Sequence, residues 1–379
     1  MRFDGDRRTN STAADIYMII PVEIGVAQAT IADLHDRLRA TRWPGGVSDS
    51  GGVPLAEMHS VVRYWLDEYD WPRHEAELDA LPNFQVEVSG QRLHFLHVTS
   101  PRADATPILL LHGWPGSFLE MLTMVPLLTE SFHVVVPSLP GYGFSAAPSA
   151  AGMSNDRMAS LLAELMSALG YERFAIHGGD VGAGVATWMS VRFPERVTAL
   201  HLNYIPGSYT PFVEGEPTAE EAAFLRTRAQ WSEEQGAYGH VQRTRPLTLA
   251  YGLSDSPAGL LAWMLEKFRE WVDPRSPLPL DIILTNITLY WATNTIASSM
   301  RVYVESAKTP LRFGREDRVR VPCGIARFPY EAPFPPRSWV ERAYNVVRWS
   351  DMPRGGHFAA LEAPQDLASD ITEFVNSVT

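Results

Sequence analysis

The peptide His177-Gly178-Gly179-Asp180-Val181-Gly182 constrains the fold of this chain more than any other segment. Glycines at i−2 and i+2 flank Asp180, which is the spacing of a strained strand-to-helix turn that exposes its central side chain. An apolar stretch at 173–177 predicts a buried strand before the turn, and 183–193 predicts a helix after it. The segment therefore predicts an α/β fold with a carboxylate at the apex of a tight turn.

Asp180 also has a purely structural interpretation, as the N-cap of the helix that follows. A helix cap requires nothing else from the chain, whereas a reactive carboxylate requires partner side chains. The choice between the two interpretations therefore depends on the rest of the sequence.

Strand-like and helical patterns alternate on both sides of this turn, which is typical of a parallel sheet covered by helices on both faces. The alternation stops after Tyr204, and a long stretch of helical patterns without a convincing core strand follows. The apolar runs that we interpret as core strands are 107–112, 132–137, 174–177, 319–328 and 345–349.

The patterns outside the core suggest an N-terminal segment and an inserted lid. Residues 28–82 have helical periodicity, and 85–98 alternates around Ser89-Gly90 as a hairpin does. We divide the chain into a flexible leader at 1–15, an N-terminal segment at 16–100, core parts at 101–205 and 311–379, and a helical lid at 206–310.

Composition excludes several classes of protein. The 45% of hydrophobic and 20% of charged residues are those of a globular protein, and the net charge of −12 disfavours a nucleic-acid partner. Cys323 is the single cysteine, so neither an internal disulfide nor a cysteine zinc cluster is expected.

We see no membrane anchor and no secretory signal in the polar leader, and we expect a cytoplasmic protein without metal or cofactor.

Three candidate side chains follow predicted strands in the order Asp180, Glu331, His357. This order of nucleophile, acid and histidine resembles that of the α/β-hydrolase fold. Each residue alone has a plain alternative, as a helix cap, a solvated carboxylate or a loop histidine. Asp317 and Asp351 are rival acids, but Asp351 lies six positions before His357 (357 − 351) on the same connection. Glu331 is therefore the preferred partner of the histidine.

The loop His112–Ser117 follows a predicted strand directly, where α/β-hydrolases supply one oxyanion-hole donor. The backbone N–H groups of Trp114 and Val181 are the expected donors to a developing oxyanion. The alternative interpretation is a tight Pro-Gly turn without a catalytic role.

An aspartate nucleophile suits displacement at saturated carbon, which forms an ester with the enzyme. Epoxides and alkyl halides are the two substrate classes that fit. An epoxide oxygen needs a proton donor, and we choose Tyr238 and Tyr303 in the predicted lid, although most of the 13 tyrosines serve packing. A halide needs indole or amide donors, and Val181 beside the nucleophile disfavours a haloalkane dehalogenase.

From about Pro21 to Phe374 the sequence resembles the microsomal-type (juvenile-hormone-type) epoxide hydrolases. The motifs that carry the resemblance are Thr41-Arg42-Trp43-Pro44, Tyr69-Asp70-Trp71, His112–Ser117, 137–145, Gly178–Gly182, Asp255-Ser256-Pro257, Glu266-Lys267-Phe268 and 354–358. The family typically has tryptophan after the nucleophile, and Val181 departs from that pattern.

This resemblance implies an N-terminal segment that wraps the core and the lid, and conversion of a small-molecule epoxide and water to a vicinal diol without a cofactor. It places the nucleophile on Asp180, the acid on Glu331, the base on His357 and the paired lid tyrosines on Tyr238 and Tyr303. A haloalkane dehalogenase and a non-catalytic binding protein of the same fold remain alternatives. The oligomeric state stays open, with a homodimer as one alternative.

Overall fold

The computed structural model describes residues 17–45 and 51–379, and the predicted leader at 1–15 lies outside these ranges. Nine strands form one sheet within the described residues. The strands are β1 (Ile20–Pro21), β2 (Asn83–Val88), β3 (Gln91–Val98), β4 (Thr106–Leu111), β5 (Phe132–Pro137), β6 (Phe174–Gly178), β7 (Val197–Leu202), β8 (Val319–Arg327) and β9 (Tyr344–Asp351).

Helices cover both faces of the sheet. They are α1 (Gln28–Arg39), α2 (Leu55–Asp67), α3 (Trp71–Asp79), α4 (Val125–Leu128), α5 (Asn155–Ala168), α6 (Asp180–Arg192), α7 (Ala219–Glu234), α8 (Ala237–Thr244), α9 (Pro246–Asp255), α10 (Pro257–Glu270), α11 (Leu280–Thr293), α12 (Ile296–Ser306), α13 (Arg337–Glu341), α14 (Ala359–Glu362) and α15 (Pro364–Val378). A short 3-10 helix at Phe118–Met121 precedes α4.

The strand order is β1-β2-β3-β5-β4-β6-β7-β8-β9. The pairs from β5 to β9 are parallel, and β1, β2 and β3 add an antiparallel edge. The central strands β4 to β7 are mostly apolar and mostly buried because helices cover them on both sides. The predicted α/β-hydrolase fold, with a mostly parallel sheet between helices, is confirmed.

The sequence predicted a helical stretch at 28–82. In the structure, the described part of this stretch contains three separate helices, α1, α2 and α3. The hairpin that follows pairs β2 with β3, and its turn residues Ser89 and Gly90 have φ angles of 46° and 74°. Positive φ at both central positions matches the right-handed twist of the two strands. The turn therefore lies where the sequence predicted it.

Side chains of α2 and its following turn hold helix α11. The indole Nε1 of Trp65 donates to Thr288 Oγ1 at 3.1 Å, and the hydroxyl of Tyr69 donates to Thr285 Oγ1 at 3.0 Å. All four residues are buried. The N-terminal segment is thus joined to the inserted helices by buried hydrogen bonds as well as by apolar packing.

Helices α7 to α12 lie between β7 and β8, within the predicted lid at 206–310. Helix α8 carries Tyr238 and helix α12 carries Tyr303, and these two helices pack against each other. Among residues 17–45 and 51–379, no helix has both the length and the hydropathy needed to cross a membrane.

Candidate active site

Asp180 stands at the apex of the turn between β6 and α6, with a φ angle of 46°. This left-handed conformation is uncommon for a residue with a Cβ atom and is typical of strained turns at reactive sites. A Cβ atom at Gly178 would lie 2.6 Å from the carbonyl oxygen of Gly182, and one at Gly182 would collide with the carbonyl oxygen of Leu111. The flanking glycines are therefore required by close backbone contacts.

The loop after β4 contacts the Asp180 carboxylate. The backbone N–H of Trp114 donates to Oδ1 at 2.7 Å, and a Cβ atom at Gly113 would collide with the same carboxylate oxygen. Val181 is the second residue of α6, and the first amides of a helix have no intrahelical acceptor. The structure therefore brings the Trp114 N–H, one of the two predicted oxyanion donors, to the Asp180 carboxylate, and the predicted role of both donors stays a prediction.

His357 lies between two carboxylates. Its Nδ1 is 2.8 Å from Glu331 Oε2, and its Nε2 is 3.7 Å from Asp180 Oδ2. Glu331 and His357 are buried, with 6% and 9% of their surfaces exposed. The carboxylate on Nδ1 orients the ring so that Nε2 faces the nucleophile, as in a catalytic triad.

The rival acids lie elsewhere. Asp351 pairs with Arg327 at 2.6 Å and its side chain is 62% exposed, while Asp317 accepts the backbone N–H of Gly314 at 2.7 Å. Neither carboxylate has a hydrogen bond or ion pair with His357.

The charges around His357 govern its protonation. Burial disfavours the charged ring, but the Glu331 carboxylate, by its charge and its hydrogen bond, and then Asp180 raise the pKa of His357 to about 9. The imidazolium is therefore the favoured form near neutral pH as long as both carboxylates carry their charge.

A second acid fixes the loop that carries His357. Glu362 accepts backbone N–H groups from Gly356 and Phe358 at 2.9 Å each, and from Asp273 at 2.6 Å in the segment after α10. The N–H of His357 itself donates to the carbonyl oxygen of Trp271 at 2.8 Å. Residues 271–273 of the inserted region and the histidine loop thus hold each other in place.

The two lid tyrosines face the loop that contacts Asp180. The ring centroids of Tyr238 and Tyr303 are 6.1 Å apart, and the indole of Trp114 stacks on Tyr238 at 5.5 Å and meets Tyr303 edge-on at 6.1 Å. Burial, followed by the charge of Asp180, raises the pKa of Tyr238. Burial, followed by Tyr238 and Asp180, raises the pKa of Tyr303. Both hydroxyls are therefore protonated donors at neutral pH.

A cavity of about 810 Å³ lies beside the predicted catalytic residues. Its lining includes Asp180, His357, Glu331 and Tyr238 but not Tyr303, and many of its other walls are aromatic. Ligand pockets of this size and chemistry accept largely apolar small molecules. The phenylalanine, tyrosine and tryptophan residues in the lining are Tyr204, Tyr209, Phe224, Trp231, Trp271, Tyr330 and Trp339, besides Tyr238.

Sequence reasoning missed several residues of the site. The rings of Trp271 and Tyr204 lie 5.0 and 5.8 Å from the His357 ring, and Lys267 lies over the ring of Tyr238. Glu120 lies near His357 and Asp180, and burial raises its pKa to about 8. The position of Tyr204 just after β7, at the carboxyl edge of the sheet, is the one signal that could have identified it.

Within residues 17–45 and 51–379, no group of three or more histidine, cysteine, aspartate or glutamate side chains is arranged to hold a metal ion. The arrangement of Asp180, His357 and Glu331 is suited to nucleophilic and acid–base chemistry.

Two family models match the chain. The model described as epoxide hydrolase N terminus matches residues 19–121, and the model described as alpha/beta hydrolase fold matches residues 106–231. With the sheet order and the turn at Asp180, these matches define the protein as an α/β-hydrolase.

Similarity to individual proteins shows which family of α/β-hydrolases the chain belongs to. Epoxide hydrolase 1 of Oryctolagus cuniculus is 34% identical over 411 residues, which cover 95% of this chain and 89% of that protein. The solved epoxide hydrolase of Aspergillus niger has a TM-score of 0.86 and 34% identity, covering 95% of this chain and 96% of the other. Juvenile hormone epoxide hydrolase of Bombyx mori has a TM-score of 0.82 and 30% identity, with coverages of 95% and 94%. The chain belongs to the epoxide hydrolase family and is an enzyme.

Proposed function

We propose that this enzyme converts an epoxide and water to a vicinal diol in two steps, through an ester of Asp180. The observation that carries the proposal is the position of Asp180, which contacts the Trp114 N–H on one oxygen and faces His357 Nε2 from the other. Tyr238 and Tyr303 lie on α8 and α12 of the predicted lid at 206–310, and Tyr238 forms part of the wall of the aromatic cavity.

In the first step, an oxygen of Asp180 attacks a carbon of the epoxide ring and the carbon–oxygen bond breaks. The ring oxygen, which becomes an alkoxide as it leaves, is hydrogen-bonded by Tyr238 and Tyr303 and takes a proton from one of them. The N-terminus of α6 favours the charged carboxylate before attack. The reaction needs no separate leaving group because the ring oxygen stays on the product.

In the second step, water attacks the ester carbonyl of Asp180. His357, oriented by Glu331, takes the proton of this water, and the N–H groups of Trp114 and Val181 stabilise the tetrahedral oxyanion. The bond between the Asp180 carbonyl carbon and the ester oxygen on the substrate then breaks and restores the carboxylate. One proton of the water goes to the departing oxygen and the other to the tyrosinate, so epoxide and water are consumed and one diol is formed. Esterification has removed the charge of Asp180, which favours the neutral imidazole that this step requires.

The proposal is tested by measuring diol formation from styrene oxide with the Asp180→Ala variant. We expect diol formation to fall to background, because no other group replaces the nucleophile. Asp351→Ala is the matched control, since that exposed carboxylate pairs with Arg327 and should leave turnover unchanged. Full diol formation by Asp180→Ala would refute the proposed mechanism. If the unmodified enzyme released halide from alkyl halides and did not turn over epoxides, it would instead be a dehalogenase.

A further inference from the structure

Lys267 is a buried cation to which the mechanism above assigns no role. It lies in α10, within the Glu266-Lys267-Phe268 segment, and only 3% of its surface is exposed. It is one of two lysines in the chain, and the other, Lys308, has a side chain that is 61% exposed. Lysine is seldom fully buried without a specific partner, so its surroundings require an explanation.

The ammonium group of Lys267 lies against two aromatic faces of the site. Its Nζ atom is 4.8 Å from the ring centroid of Tyr238 and 5.6 Å from that of Trp271. Its ion-pair partner is Glu266, whose side chain is 27% exposed. The cation is therefore held between a partly solvated carboxylate and the aromatic wall of the catalytic cavity.

We propose that Lys267 is a positioning residue for ring opening, which stabilises the negative charge that develops on Tyr238 when this tyrosine gives its proton to the epoxide oxygen. The inference rests on the proposed function and deepens it. Lys267 approaches the ring face of Tyr238, the side on which it does not compete with the substrate for the hydroxyl. An ammonium group is attracted by the face of a neutral aromatic ring, and more strongly by a ring that becomes a phenolate.

The charges around Tyr238 show why such a cation matters. Burial and the carboxylates of Asp180 and Glu331 raise the pKa of Tyr238 and oppose formation of a tyrosinate, whereas a hydrogen bond with Tyr303 lowers this pKa. Tyr204 is a further neutral neighbour. The other charged groups nearby are His357 across the cavity and the acids Glu266 and Glu270, which flank Lys267 on α10. Lys267 is thus the cation in direct contact with the ring of Tyr238.

The two chemical steps should respond differently to loss of this charge. Ring opening places negative charge on Tyr238, whereas ester hydrolysis places it on the Asp180 carbonyl oxygen beside the Trp114 N–H. Removing the cation should therefore slow formation of the ester and leave its hydrolysis rate nearly unchanged. A purely structural role would disturb both steps, since α10 ends at Glu270, directly before Trp271, whose carbonyl oxygen accepts the His357 N–H.

The experiment measures both steps in single turnovers with styrene oxide, by rapid quenching and mass detection of the ester. Lys267→Met keeps an unbranched side chain of similar reach, and we expect ester formation to slow by about tenfold or more, the loss of a desolvated cation–π contact. Lys267→Arg should recover much of the rate because it restores the charge. Lys308→Met is the matched control and should behave as the unmodified enzyme.

A double-mutant cycle with Tyr238→Phe identifies the group through which Lys267 acts. With phenylalanine at this position, Tyr303 remains as donor, and Lys267→Met should then have little further effect on ester formation. If the methionine variant does not fold, Lys267→Gln carries the same expectation.

Three results would overturn the inference: an ester-formation rate in Lys267→Met equal to that of Lys308→Met, an equal slowing in the Tyr238→Phe background, or no recovery with arginine. Each of these results overturns the inference only if the unmodified enzyme itself forms and hydrolyses the ester. An unmodified enzyme that forms no ester would instead contradict the proposed function, so the two failures are distinguishable.

Discussion

At the scale of single residues, the pairing of His357 with two carboxylates is consistent with the proposed two-step reaction. In that proposal Asp180 loses its charge when it becomes an ester. The charge of Asp180 is one of the causes that raise the pKa of His357 to about 9. The nucleophile therefore holds the base protonated until the ester exists.

This reasoning predicts a lower pKa of His357 in the Asp180→Ala variant. Loss of the nearby negative charge destabilises the imidazolium, so the folded-state pKa should fall below about 9. The ring signals of His357 in an NMR titration measure the change, and Asp351→Ala serves as the control for a distant charge. An unchanged pKa would show that Asp180 does not control the base.

The sequence singles out Asp180 and His357 because the signals around them are local, a glycine-flanked turn and a glycine-rich loop after a strand. It preferred Glu331 to Asp351 and Asp317, and in the structure Glu331 lies 2.8 Å from His357 Nδ1. Lys267 could not be predicted, because its contact with Tyr238 depends on how α10 and α8 pack.

At the scale of elements, the turn at Asp180 and the histidine loop are held by backbone contacts more than by side-chain packing. The predicted helix at 183–193 in fact begins at Asp180. Gly178 and Gly182 have the sequence pattern of a turn, and Asp180 between them has a positive φ angle. The helix nevertheless already begins at Asp180. Local propensity therefore placed the helix start too late.

The loop around His357 depends on Glu362, which accepts three backbone N–H groups in a buried setting. Glu362→Ala should lower the free energy of unfolding by about 2 to 4 kcal/mol, because these donors lose a common acceptor. It should also slow ester hydrolysis more than ester formation, since the loop carries the base. Urea denaturation and single-turnover kinetics measure the two effects.

Glu373→Ala is the matched control for this prediction. Glu373 forms an exposed ion pair with Arg348, and its loss should cost about 0 to 1 kcal/mol. A Glu362→Ala variant as stable and as active as this control would contradict the proposed role of the carboxylate.

At the scale of the whole molecule, two regions that are distant in the sequence supply the site residues, and a third supports the inserted helices. The core supplies Asp180 and His357, the predicted lid supplies Tyr238 and Tyr303, and the N-terminal segment holds helix α11 through buried hydrogen bonds. The alternation of patterns predicted the core fold. It could not predict these contacts, which join residues more than 200 positions apart.

The link between the N-terminal segment and α11 predicts a measurable stability cost for Tyr69→Phe. Its hydroxyl is buried against Thr285, and removing it should lower the free energy of unfolding by about 1 to 2 kcal/mol. Tyr251→Phe alters a tyrosine that is 73% exposed and should cost almost nothing. Equal denaturation midpoints for the two variants would contradict this account of the interface.

The central claim is that catalysis proceeds through an ester of Asp180 that His357 is needed to hydrolyse. The most direct test is intact mass spectrometry of the His357→Gln variant after incubation with styrene oxide, followed by peptide mapping. We predict a mass increase equal to one substrate molecule, located on the peptide that contains Asp180. An unmodified mass, with diol still produced at the rate of the unmodified enzyme, would contradict the mechanism.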